Sequence, residues 1–70
     1  MILVENIIFK DNKKYMQIRI HVSCCKSQFL VEDQGEDKLL NLTTGEYLLW
    51  GMVDSVRLAE QNYINNYINK

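Results

Sequence analysis

Hydrophobic and polar positions along this chain change period once, from two residues to about 3.6, and the change separates a sheet from a helix. Tyr15 to Val22 alternates without a break: Met16, Ile18, Ile20 and Val22 on one side, Tyr15, Gln17, Arg19 and His21 on the other. That is the pattern of a half-buried strand. Ahead of it, Ile2 to Phe9 is apolar and rich in β-branched residues, and the polar string Lys10-Asp11-Asn12-Lys13-Lys14 joins the two. Asp11 and Asn12 tolerate the left-handed backbone of a tight connection, so the pair reads as a β-hairpin.

The pattern also suggests a register. A three-residue loop, Asp11 to Lys13, pairs Ile8 with Met16, Val4 with Ile20 and Ile2 with Val22, and sets Glu5 opposite Arg19 on the outer face. Its cost is Asn6 opposite Ile18 on the inner face. A four-residue loop pairs Phe9 with Met16 but turns Glu5 inward opposite Ile20, and burying a carboxylate costs more than burying an amide. The first register is therefore preferred. It leaves Leu3, Ile7, Phe9 and Tyr15 as an apolar patch on the outer face, which a single helix on the inner face does not cover.

Ser23 to Lys26 interrupts the alternation, Gln28 to Asp33 resumes it, Gln34-Gly35-Glu36-Asp37 turns, and Leu39 to Leu42 forms a fourth short strand. From Thr43 to Ile68 the period becomes helical. Leu48, Leu49, Met52, Val53, Val56, Ala59, Tyr63, Ile64 and Tyr67 fall on one stripe that only Glu60 interrupts. Thr43 as N-cap with Glu46 three residues on would make a capping box and start one long helix. The alternative is a turn at Thr44-Gly45, a fifth strand over Tyr47 to Trp50 and a helix from about Asp54. The stripe through Leu48 and Leu49 favours the long helix, although Gly51 inside it costs about 1 kcal/mol relative to alanine. The expected fold is α+β: one domain over residues 1–70, a four-stranded antiparallel meander (five-stranded in the alternative) with one C-terminal helix on one face.

Composition narrows the class. Seventy residues, 47% hydrophobic and 24% charged, are enough for one small core and too apolar for disorder. No apolar run approaches bilayer length, and Met1-Ile-Leu-Val-Glu5 lacks the basic region of a signal peptide, so a cytoplasmic location is expected. The net charge of −1 divides unevenly, +3 over residues 1–31 and −4 over residues 32–70. Asn, Ile, Lys and Tyr together supply 24 residues, a bias that suits an AT-rich genome such as that of a low-GC bacterium or its phages.

Candidate chemistry is sparse. Cys24 and Cys25 stand together with His21 close by, but a closed zinc site needs a fourth ligand that no second Cys pair or histidine supplies. Adjacent strand residues also point to opposite faces, so no metal or other cofactor is expected. His21 is the one histidine and has no evident nucleophile and carboxylate arranged around it, and no phosphate loop or nucleophile elbow is present. A catalytic residue is not expected, and neither is an enzyme.

What remains is binding. Leu3, Ile7, Phe9 and Tyr15, together with Tyr47 and Trp50, which lie off the helical stripe, are the candidate interface residues. The expected occupant is a protein, either a second copy in a homodimer or a host protein that a small phage or mobile-element inhibitor would occlude. The alternative is a single-stranded nucleic acid held by Lys10, Lys13, Lys14, Tyr15, Arg19 and His21, against which stands a pI near 5.7.

Overall fold

A computed structural model describes residues 1–21 and 26–68. Five strands, β1 (Ile2–Lys10), β2 (Lys13–His21), β3 (Lys26–Gly35), β4 (Lys38–Asn41) and β5 (Glu46–Tyr47), are followed by one helix, α1 (Trp50–Ile68). The strands form one antiparallel sheet in the order β1-β2-β3-β4-β5, a meander in which every neighbour in sequence is a neighbour in space. The helix packs on one face of it. This is the α+β meander expected, in its five-stranded form.

The core lies between that face and the helix. Val4, Met16, Ile18, Val31 and Leu39 from the sheet are buried against Val53, Val56 and Ala59 of α1, with Ile2, Ile7, Ile20, Phe29, Leu48 and Tyr63 packed around them. Met16 and Ile18, the centre of the alternating segment, are fully buried.

The first hairpin departs from both registers expected of it. Its loop has two residues, not three: Lys10 pairs with Lys13, and Asp11 and Asn12 sit at φ 53° and 64°. Two successive left-handed residues are what a two-residue hairpin turn requires, because that twist matches the twist of the strands. Pairing then runs Phe9 with Lys14, Ile8 with Tyr15, Ile7 with Met16 and Asn6 with Gln17. Between Asn6 and Val4 the register shifts by one, so that Glu5 and Asn6 together oppose Gln17, and beyond the shift Val4 pairs with Ile18, Leu3 with Arg19 and Ile2 with Ile20. Such a bulge resets the in–out parity of a strand. It lets Val4 and Ile7, three residues apart, both point at the core, and it removes the Asn6–Ile18 conflict by turning Asn6 outward. Ile7 thus leaves the outer patch for the core side, and Ile8 takes its place outside.

The helix starts at Trp50, between the two expected positions. That is later than the Thr43 cap implies and ahead of the Asp54 start of the five-stranded alternative, whose strand over Tyr47 to Trp50 shortens to Glu46–Tyr47. Asn41 accepts the amides of Thr43 and Thr44 on its Oδ1, at 2.8 and 3.3 Å, and that of Gly45 on its carbonyl at 2.8 Å. These bonds bend Thr43 to Gly45 into a turn that Gly45 completes at φ 75°. Thr43 is therefore no N-cap, and Glu46 lies in β5. The Leu48 amide bonds the Leu39 carbonyl at 2.9 Å, extending the sheet edge by one link before α1 begins at Trp50.

Candidate functional site

Glu60, the polar residue that interrupts the helical stripe, is 7% exposed and anchors a charged cluster on the covered face. Arg57 forks onto Asp33, Nη1 to Oδ2 at 2.7 Å and Nη2 to Oδ1 at 2.9 Å, and Nη1 also reaches Glu60 Oε1 at 3.0 Å. Lys14 bonds Glu60 and lies 3.4 Å from Asp33. The Arg57 guanidinium holds the Asp33 carboxyl below its ordinary value against the opposing effect of burial, with help from the Gly35 amide. Asp33 first, then Glu60, holds Arg57 above its own. Two cations and two anions are mutually satisfied, so the cluster fastens α1 to β2 and β3 and leaves no reactive group poised toward a cleft.

The opposite face of the sheet has no element over it among the described residues. Ile8, Tyr15, Glu32, Leu40 and Tyr47 form one row across it, Gln17 and Leu30 a second, and Leu3, Arg19 and Gln28 a third. Glu5, turned outward by the bulge, bonds Arg19 Nη2 at 2.9 Å and Gln28 Nε2 at 2.8 Å, so the expected Glu5–Arg19 contact forms even though Leu3 is the residue opposite Arg19. Tyr47 Oη donates to Gln34 Oε1 at 2.7 Å.

The predicted interface residues divide three ways. Leu3 and Tyr15 lie on the open face; Ile7 packs against the core; Phe9 is on the helix side but 75% exposed. Tyr47 and Trp50 lie at the junction of β5 and α1, 55% and 83% exposed. Between them Leu49 is 81% exposed, an interface candidate that its place on the helical projection concealed. The Leu49 carbonyl accepts the Met52 and Val53 amides, so Leu49 holds the N-cap position with no side-chain oxygen to cap the helix. A cap of Ser, Thr, Asn or Asp would stabilise α1 by about 1 kcal/mol.

The nucleic-acid set is scattered. Lys14 is drawn into the charged cluster on the covered face, Lys13 lies 3.6 Å from Glu32, and Arg19 is paired with Glu5. Lys10 and His21 are exposed at opposite ends of the hairpin. Cys24 and Cys25 lie outside the described residues. Among the described residues no three His, Cys, Asp or Glu side chains are grouped as metal ligands, and no helix is long and apolar enough to cross a membrane. No family model, curated protein or solved structure matches the chain.

Proposed function

We propose that the protein is a non-enzymatic binding module that seats a protein partner on the junction of β5 and α1 and on the adjoining open face of the sheet. In this reading it works in the cytoplasm as a homodimer, and the second partner is a host protein that a small phage or mobile-element product occludes. The observation that carries the reading is the pair Leu49 and Trp50, both more than four-fifths exposed at an uncapped helix start. Large apolar side chains held out by rigid elements favour a partner that removes them from water, and tryptophan is the residue most enriched where binding energy concentrates. Tyr47 and Leu40 continue the same surface onto the sheet. The pairing of Lys13, Lys14 and Arg19 with carboxylates favours a protein over a nucleic acid, since a cation must release its own anion before it holds a phosphate.

Trp50 is the sole tryptophan, which makes the test direct. Partner captured from the native host should shift Trp50 emission to shorter wavelength on titration. Trp50→Ala combined with Leu49→Ala should weaken capture at least tenfold while the circular dichroism spectrum stays unchanged. Undiminished capture by the double variant would remove this surface from the binding role, and salt-sensitive retention of single-stranded DNA in its place would favour the nucleic-acid reading.

A further inference from the structure

We propose that the protein pairs with a second copy of itself along the free edge of β1, antiparallel, with Leu3 of one copy opposite Ile8 of the other. The proposal rests on the binding-module reading and names the partner at this edge. The strand β1 is an edge over all nine of its residues, contains no proline and carries one carboxylate, whereas the opposite edge, β5, has two residues. A long apolar edge of this kind is a template for another strand.

The bulge decides which strand fits. Met1 and His21 exchange main-chain hydrogen bonds at 2.9 Å in both directions. By antiparallel alternation Leu3 then bonds inward to β2, and the backbone groups of Ile2 and Val4 point to the free edge. At the other end Lys10 and Lys13 close the turn, so Ile7 and Phe9 are the edge-pointing residues there. The Ile7 amide agrees, for it is bonded at 3.0 Å to Asn6 Oδ1 and not to β2. All four edge-pointing residues carry their side chains on the helix side, while Leu3, Glu5, Asn6 and Ile8 face outward.

A second β1 meets this edge with every feature matched in one register. Ile2 then faces Phe9 and Val4 faces Ile7 on the helix side, both as hydrogen-bonding pairs. Leu3 faces Ile8 and Glu5 faces Asn6 on the open side. A shift of one residue either way sets inward side chains against outward ones, and in one direction it sets Glu5 against Glu5. In the matched register the Asn6 amide, whose oxygen is already engaged, offers its NH2 to the facing carboxylate. Without the bulge, strict alternation would put Leu3 and Ile8 on opposite faces, and this pairing would not close.

The side chains supply a knob and a hole. Ile2, Val4, Ala59, Tyr63 and Tyr67 line a groove of about 240 Å³ between β1 and the helix, walled by the stacked rings of Tyr63 and Tyr67, 5.9 Å apart. The register that satisfies the backbone brings Phe9 of the second copy beside Ile2, at the mouth of that groove. Two such rings bury roughly 300–500 Å² together. The paired edges and the Leu3–Ile8 contacts must supply the rest of the about 1,200 Å² from which specific interfaces start.

The test is the oligomeric state of the full chain by sedimentation velocity across the micromolar range, where a dimer is expected. Phe9→Asp, at a site already three-quarters exposed in the single chain, should weaken the dimer at least tenfold. Leu3→Cys with Ile8→Cys, in a Cys24→Ser and Cys25→Ser background, should cross-link two copies on oxidation. A facing pair of that type sits about 4.5 Å apart between Cα atoms, within the range a disulfide spans. Leu3→Cys alone should not cross-link, and this arm decides the matter if Phe9→Asp fails to fold. A monomer throughout the range, a dimer indifferent to Phe9→Asp, or cross-linking by Leu3→Cys alone would overturn the edge pairing. Each would leave the Trp50 surface standing, because that surface is tested by partner capture and not by self-association.

Discussion

The two faces of the sheet draw on the same strands and treat their charges differently. On the covered face Lys14 and Asp33 are met by Arg57 and Glu60, and the four form a half-buried cluster that carries the helix. On the open face Glu5 and Arg19 pair at 2.9 Å with more of each side chain in water. Apolar residues differ in the same way: Met16 and Ile18 are fully buried, whereas Leu3 and Ile8 remain 43% and 39% exposed. One side of each strand therefore holds the fold together, and the other side is left for contact.

That contrast can be broken most forcefully in the core. Ile18→Ala should cost about 2–5 kcal/mol by urea denaturation, close to the whole stability of a domain this small. Leu30→Ala, on the open face of the neighbouring strand, should cost less, about 1–2 kcal/mol, because its site is only partly buried and no helix lies over it. Equal losses at the two positions would mean that something covers the open face. Arg57→Ala comes next. It leaves Asp33 and Glu60 side by side with Lys14 as the one cation between them, and a loss of roughly 1–3 kcal/mol is expected for a pair that is only partly buried.

Acid should separate the faces again. The folded state holds Asp33 below its ordinary 3.8 because Arg57 bonds its ionised form. The stability this contributes is complete above the unfolded value, and it disappears as pH falls through the lower folded one. Wild type should thus lose denaturant resistance below about pH 4 more steeply than Asp33→Asn, which is weaker at neutral pH and flatter in acid. Parallel curves for the two proteins would rule out this linkage. The smallest effect belongs to the open face: a double-mutant cycle on Glu5→Gln and Arg19→Gln should return a coupling of about 0.2–1 kcal/mol that fades with salt.

Much of this architecture was legible in the alternation of Met16, Ile18 and Ile20 and in the helical spacing of Val53, Val56 and Ala59, because burial enforces those periods directly. The bulge at Glu5 was not. Asn6 registered only as a conflict in an otherwise regular strand, and parity alone cannot say that an extra residue resolves it. The helix start was obscured because Leu48 projects onto the helical stripe while its amide bonds Leu39 in the sheet. Glu60 looked like a flaw in the stripe for a similar reason: its partner Lys14 is 46 residues away in sequence. As for the binding surface, Tyr47 and Trp50 stood out as residue types, but Leu49 was hidden by the projection that made it look buried.

The meander has a kinetic corollary. Each strand finds its mate across a short connection, so sheet assembly needs only local searching, and the chain entropy lost in closing each loop is small. Within the described residues α1 is the element that must return over the sheet, settling on β1 and on the core side of β2, β3 and β4. Until it does, the hairpins present their oily side to water, which makes the helix the latch that ends the vulnerable interval.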